Sequence, residues 1–511
     1  MRPEPPAASG SSAPRDGAAP AARRVRIAVI GGGIAGLAAA HRLVECASQT
    51  RTGLDVVLCE AGPRLGGSIR TERHDGHLIE DGPDSFLTEK PWAVALCGRL
   101  GIADRLIGTA PDHRQTFVVR GGRLRALPDG FALMAPMRIG PVLRSDLFTW
   151  WGKLRMGMDL VLPRGPARED ESLAAFVTRR FGREVLDRVA QPMVAGIYTA
   201  DPETLSLGAT MPRFLDMERR HRSVILALLR ARAARAHEAA AATGSAPDIA
   251  RSTGPRWGLF VAPDTGMGSL VDALCARLPV GTVRLGTRVR AIARGAGSGD
   301  AAGYRVTLED APPITADGVV VATHAPQAAA LVDGLDAGLA AELRSISYAS
   351  SAVVTLAYGR DQIAHALDGF GFVVPAVERL PILACSFSSV KFAGRAPEGR
   401  VLLRTFLGGV LRPDELARDD AALAAVATDA LQPLLGISGP ARLTRVRRHL
   451  ESMPQYVVGH VARVAQIESL VSGHAGLALA GGAYRGVGIP DCVRSGEQAA
   501  ERVFSECLRV P

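Results

Sequence analysis

Apolar positions along the chain fall into short unbroken runs and longer stretches of helical period, separated by glycine-rich turns. Residues 25–30 (VRIAVI) form the first run, six glycine-rich residues follow, and 37–44 return to helical spacing. Residues 54–59 (LDVVLC) form a second run that ends on Glu60. Runs of this length bounded by turn residues predict buried strands, so 25–60 predicts strand, turn, helix and strand. Downstream, 116–127 predicts a hairpin about Gly121-Gly122, and 131–235 is mostly helical by period. Residues 236–252, rich in Ala, Gly, Ser and Thr, predict an exposed linker, and a helix is expected from 266–274. Short strands are expected at 283–285, 288–292 and 304–308, and 318–323 (GVVVAT) resembles a buried parallel strand. The β-rich runs 352–358, 370–375 and 401–406 predict a separate sheet. A strand at 477–482 then runs into glycines, and a helix is predicted from about Cys492 to Glu506, with Asp491 as its N-cap and Pro490 as a stop before it.

The opening unit carries candidate chemistry. Its turn reads Gly31, Gly32, Gly33, Ile34, Ala35, Gly36. The first glycine makes the tight turn, Gly33 leaves the backbone open to a pyrophosphate, and Gly36 lets the helix lie close on the sheet. A helix N-terminus offers free N–H groups and a positive dipole end to phosphate. Glu60 can accept ribose hydroxyls, and its charge repels a 2′-phosphate. Together these features predict dinucleotide binding. Directly after Glu60 come Ala61, Gly62, Pro63, Arg64, Leu65, Gly66, Gly67 and Ser68, where Arg64 can reach a phosphate; a plain surface turn is the alternative. Gly82, Pro83, Asp84 and Ser85 form a rigid turn that either lies over a cofactor or caps a strand. At the far end, Val487, Gly488, Ile489 and Asp491 lead into the last helix, a second anion-favouring helix start. A flavin uses such a site, because reduction places negative charge near N1 and the C2 carbonyl, whereas a nicotinamide does not. FAD is therefore the expected cofactor.

Composition narrows the class. At 511 residues, 47% apolar and 22% charged, the chain has room for several domains and a large core. No run of 18 or more uncharged apolar residues predicts a membrane span. Residues 1–22 lack both an apolar core and an amphipathic period, and are expected to be a disordered tail. The formal charge of +9 comes from scattered arginines with no aromatic-interleaved stripe, which predicts a solvated basic surface and no nucleic-acid partner. Lysine occurs only as Lys90, Lys153 and Lys391. Seven cysteines with no C-x-x-C pair point to reduced thiols in the cytoplasm and to no metal site. Residues 147–156 (LFTWWGKLRM) place two tryptophans beside cations. That pattern suits an interfacial helix at the inner face of a membrane, the rim of an apolar pocket or an ordinary packed helix.

Beyond the nucleotide fingerprint, four blocks carry a resemblance: Gly82 to Leu87 (GPDSFL), Gln191 to Tyr198 (QPMVAGIY), Met453-Pro454-Gln455-Tyr456 with Gly459-His460, and Tyr484 with residues 486–492 (GVGIPDC). From Val25 to its end the chain resembles the oxygen-dependent porphyrinogen oxidases of haem biosynthesis, bacterial type, which act on coproporphyrinogen III and protoporphyrinogen IX. The resemblance implies an α/β fold of flavin amine oxidase-like architecture. A Rossmann-like FAD domain is built from discontinuous segments (25–92, 256–324 and 446–511), beside a β-sheet substrate domain (93–125 and 325–445) and a helical domain (126–255, with the linker 236–252); 1–24 is the tail. FAD contacts are implied at Gly31 to Gly36, Glu60, Ala61, Ser68, Gly82 to Ser85, Val289 and Val487 to Ile489. Lys90 is implied as partner of a substrate propionate, and Ile197 and Tyr198 as the apolar face that meets the macrocycle. Relatives often carry tryptophan before the MPQY block, where this chain has His449, so one ring-packing contact differs.

The implied reaction is hydride removal from a methylene bridge by the flavin N5, with loss of a pyrrole proton. Repetition removes six electrons to give the porphyrin, and oxygen reoxidises the flavin to yield hydrogen peroxide. The flavin does the chemistry, so no catalytic triad is expected. The implied partners are a porphyrinogen and molecular oxygen, with a later haem-pathway enzyme as a further candidate. Alternatives on the same fold are an amine oxidase or desaturase, and a non-catalytic binder of the GDP-dissociation-inhibitor kind.

Overall fold

The computed structural model describes residues 24–113, 115–165, 169–241, 259–296 and 302–509; the expected tail, and the linker beyond Ala241, lie outside them. A five-stranded parallel sheet is the frame. Its spatial order is Val283–Arg284, Leu54–Cys59, Val25–Ile30, Gly318–Val321 and Leu477–Leu479. Strands from three distant stretches thus lie side by side, as 318–323 and 477–482 predicted. On one face, the helices Ile34–Thr50, Trp92–Leu100 and Ile489–Arg509 close a core of residues such as Ile27, Leu37, Leu58, Leu96 and Val503. On the other, the antiparallel strands Val289–Ala296, Ala302–Leu308 and Ile314–Ala316 cover Ala28, Val57 and Val319. The first helix begins at Ile34, three residues before the predicted Leu37, and ends at an Arg51 in the left-handed region.

A seven-stranded sheet forms the second unit. Its order is Leu443–Pro454, Tyr348–Gly359, Arg400–Gly408, Ala384–Phe387, Gly369–Val373, Gln115–Arg120 and Arg123–Ala126, with Asp420–Leu435 against its core. The predicted hairpin is its outer pair, in register Phe117↔Ala126. Two divisions drawn from sequence fall inside elements. The 92/93 boundary cuts a helix that packs on the first core, and the 445/446 boundary cuts a strand paired with Tyr348–Gly359 along most of its length.

The third unit is helical, as predicted, apart from a two-residue strand pair at Phe131–Ala132 and Ala135–Pro136. Its helix Val224–Ala241 runs six residues into the predicted linker. A buried ion network holds it together: Asp159 accepts from Arg180 Nε at 2.6 Å, Ser223 Oγ at 2.6 Å and Ile225 N at 2.9 Å, and Glu218 pairs with both Arg179 and Arg180. Leu186–Ala190 is a π-turn that runs directly into Gln191–Tyr198; such widened turns recur at functional sites.

Candidate active site

In a parallel sheet every strand ends at the same edge, and ligands bind in the crevice beyond the carboxyl ends. Here that edge gathers the turn after Ile30, Glu60 after Cys59, Ala322 after Val321 and Gly481 beyond Leu479. Gly31 N–H donates to Cys59 O at 2.8 Å. The Glu60 carboxylate is held from both sides, by Gly32 N–H on Oε2 and Gly62 N–H on Oε1, each at 2.7 Å. Each oxygen keeps a lone pair for a further donor.

No side chain caps the first helix, and no acidic residue lies in its first turn. A side chain at Gly33 would meet nothing within 4 Å, while one at Gly36 would sit 1.9 Å from Gly31 O. The first glycine faces open space and the second is packing. Free N–H groups, a positive dipole end and room over Gly33 together fit a pyrophosphate.

Two more turns stack on this one. Gly66 N–H donates to Gly32 O at 2.8 Å, and Ala61, Gly67 and Ser68 lie exposed beside it. Arg64 does not extend outward: its guanidinium donates to Leu65 O, Ile69 O and Gly67 O at 3.0, 3.0 and 2.6 Å, so it shapes this loop. Thr287 N–H donates to Glu60 O at 2.8 Å, which brings half-buried Val289, two residues on, to the same edge.

The Gly82 turn packs against Ser68, whose carbonyl lies 2.1 Å from where a Gly82 side chain would start. Asp84 accepts from Lys391 Nζ at 3.0 and 3.2 Å and from Ser85 Oγ at 2.7 Å, with Arg404 at 3.4 Å. Burial alone would raise the Asp84 pKa, but Lys391 and Arg404, with the Ser85 hydroxyl, outweigh it and hold the carboxyl well below its usual range. Arg404 also donates to Gly82 O, and His449 Nε2 meets Asp81 O at 2.8 Å. The imidazole that replaces the expected tryptophan therefore ties the large sheet to this turn. Lys391 and Arg404 were not among the residues expected here; lysine scarcity singles out Lys391, but nothing in the sequence distinguishes Arg404 from the other arginines.

The last helix begins at Ile489, not Cys492. Pro490 is in its first turn, where a missing N–H costs nothing, and Asp491 is a first-turn acid instead of the predicted N-cap. Its carboxylate accepts from Lys90 Nζ at 2.8 and 2.6 Å. Lys90, 41% exposed, thus already has a protein partner. Ile489 is buried in the first core, while Val487 packs at the edge of the helical core with Met193, Tyr198 and Val373. Ile197 is 46% exposed. Burial and the neighbouring Asp491 charge push the Tyr198 phenol up to about 12, so it stays protonated at neutral pH. The structure therefore brings two groups together: a glycine-lined polar edge, and an apolar edge of Tyr198 and Val487 with the Lys90–Asp491 pair beside it, while Ile197, next to Tyr198 on the same helix, is exposed.

Comparison with known proteins places this arrangement. Residues 34–504 match the family described as flavin containing amine oxidoreductase. The coproporphyrinogen III oxidase of Bacillus subtilis strain 168 is 34% identical over 93% of this chain and 96% of its own length. That of Propionibacterium freudenreichii subsp. freudenreichii is 35% identical, over 98% and 94%. A solved structure from Exiguobacterium sp. 255-15, whose name proposes a protoporphyrinogen oxidase, has a TM-score of 0.80 at 29% identity, over 94% of this chain and 99% of that one. The fingerprint, the sheet edge and the length of the match agree, and the chain belongs to the flavin containing amine oxidoreductases.

Proposed function

We propose that this protein is an FAD-dependent, oxygen-using porphyrinogen oxidase of haem biosynthesis, acting on coproporphyrinogen III, protoporphyrinogen IX or both. The observation that carries the reading is the meeting of the first glycine turn and the start of the last helix beside a half-exposed apolar wall with a lysine at its rim. When bound, FAD supplies the electron acceptor for dehydrogenation of the macrocycle and is returned to its oxidised form by oxygen, with release of peroxide.

In this reading Gly31, Gly32, Gly33, Ile34, Ala35 and Gly36 cradle the pyrophosphate and Glu60 accepts the ribose hydroxyls. Ala61, Gly66, Gly67, Ser68 and the turn Gly82, Pro83, Asp84, Ser85 line the cofactor, with Val289 at the adenosine end. Val487, Gly488, Ile489 and Asp491 hold the flavin end, where the helix start favours developing negative charge. Ile197 and Tyr198 face the macrocycle and exclude water. Lys90 shares its charge between Asp491 and a substrate carboxylate, using an N–H that Asp491 leaves free. Family membership supports a flavin over the flavin-free binder, and the named relatives support porphyrinogens over amines. The test is porphyrin fluorescence: both porphyrinogens are offered under air with a no-protein control. Rates above background for at least one are expected, and equal rates with and without protein would sink the reading.

A further reading concerns location. Among the described residues no helix is long and apolar enough to cross a membrane. However, Trp150 and Trp151 are 71% and 79% exposed, with Ile139, Leu143, Leu154 and Val161 exposed nearby, and Lys153 lies 4.4 Å over the Trp150 ring. Tryptophans beside cations suit the headgroup layer of an anionic membrane. We therefore place the enzyme in the cytoplasm with peripheral contact through this helix. Co-sedimentation with anionic vesicles, lost in a W150S/W151S variant whose activity in solution is unchanged, is the expected result; no binding by the parent protein would refute it.

A further inference from the structure

Pro454, Gln455, Tyr456 and His460 take no part in the chemistry above, yet they are buried where all three units meet. We infer that Tyr456 is a positioning residue that sets the flavin-holding loop at residues 482–488 against the substrate wall. Its phenol, 1% exposed, donates to Gly482 O at 2.6 Å and accepts from Gly486 N–H at 2.8 Å. One hydroxyl thereby closes both ends of the turn that leads into Val487, Gly488 and Ile489. The ring stacks on His460, with centroids 4.0 Å apart and planes 14° apart, and His460 Nε2 donates to Tyr484 O at 2.9 Å inside the same turn. Burial lowers the His460 pKa and raises that of the Tyr456 phenol, so the phenol keeps the proton it donates to Gly482 O.

The backbone beside Tyr456 reaches the other two units. Ser206 N–H donates to Tyr456 O at 2.7 Å, and Val458 N–H to Thr204 O at 2.9 Å, both in the helical unit. Gln455 Nε2 donates to Tyr198 O at 3.2 Å, at the end of the helix that presents Ile197 and Tyr198. Pro454 pairs with Tyr348 at the end of the large sheet. Adjacent residues thus grip the substrate wall and the flavin loop, so the spacing between cofactor and macrocycle is set by Gln455 and Tyr456. A phenylalanine at 456 keeps the stack but leaves a buried carbonyl and N–H unpaired, and the loop then shifts to satisfy them.

The inference rests on the flavin reading, and its test separates the two. FAD affinity is measured by titrating apoprotein with FAD, alongside thermal melting, for the parent protein, Y456F and Y304F. Tyr304 is an internal control, since its buried hydroxyl donates to Ala475 O at 2.7 Å, away from the loop. Both variants are expected to melt lower. Only Y456F is expected to bind FAD about tenfold more weakly, the equivalent of one to two buried hydrogen bonds, and to show an altered visible flavin band. Should Y456F not fold, H460Q, which keeps an N–H for Tyr484 O but loses the stack, is expected to weaken FAD in the same direction. FAD affinity in Y456F equal to that of Y304F would overturn the positioning role alone. A parent protein that takes up no FAD would overturn the flavin assignment, and this role with it.

Discussion

At the residue scale, Gly33 and Gly36 separate ligand contact from packing. Both belong to one fingerprint, yet a methyl at Gly33 projects into open space and one at Gly36 strikes the Gly31 carbonyl. Gly33→Ala is expected to leave the melting temperature of the apoprotein within a degree or so, while weakening FAD by about 1–3 kcal/mol of steric conflict. Gly36→Ala is expected to lower stability by a similar amount even without cofactor. Calorimetry with and without FAD distinguishes the two. Asp84 gives a pH prediction. Its folded pKa lies below the unfolded value of about 3.9, so the unfolded state binds its proton first as pH falls. Its stabilisation is complete above that value and is lost below it. Asp84→Asn, which leaves Lys391 and Arg404 without their counter-ion, is expected to cost about 3 kcal/mol at neutral pH and to flatten the acid limb of a stability curve. Arg404 was illegible as a site residue, and the scarcity of lysine marked Lys391 without showing its role, because their shared partner lies some three hundred positions away; a charge network of that reach has no local pattern.

Among elements, the packing of the last helix on the first carries the site, since each delivers one helix start. They touch through backbone: a side chain at Gly496 would begin 2.1 Å from Ala35 O, and Arg42 pairs with Glu501 at 2.7 Å along the same seam. Gly496→Leu is expected to push the helices apart, lower the melting temperature and release FAD together, whereas Glu501→Gln on the exposed rim is expected to cost under about 1 kcal/mol. Both readouts come from one melting series followed by protein and flavin fluorescence. The strand, turn and helix at the start were legible because periodicity and glycine spacing agree there. The start of the last helix was not, since Pro490 marks a break in sequence but fits a first helical turn equally well. Asp491 therefore sits within the turn and faces Lys90, a pairing that helix-end signals could not reveal. Two boundaries between units also escaped the sequence, because the helix Trp92–Leu100 and the strand Leu443–Pro454 each run through one of them with no break in pattern.

For the whole molecule, burial governs both the titration and the assembly of the site. His41, His324, His365, His449 and His460 are all held below the ordinary histidine value, chiefly by burial. The unfolded chain therefore binds more protons just below pH 6.5, and stability is expected to decline as pH falls from about 6.5 toward 5 and to be flat from this source above it. A thermal melting series across that range checks the sign, and a smaller slope in His449→Gln assigns part of it to the burial of that imidazole, which outweighs the opposing contact with Asp81. The seven cysteines are free thiols, five of them buried. Distant stretches of one chain meet at a single sheet edge, where in the proposed function a flavin meets a porphyrinogen. The most direct test of that function is anaerobic titration of the purified, FAD-loaded protein with coproporphyrinogen III and, separately, protoporphyrinogen IX, following flavin absorbance and porphyrin fluorescence together. For at least one of them the flavin is expected to bleach as porphyrin appears, with three flavins reduced per porphyrin formed, and colour is expected to return on admitting air. A flavin that stays oxidised with both porphyrinogens would contradict that function.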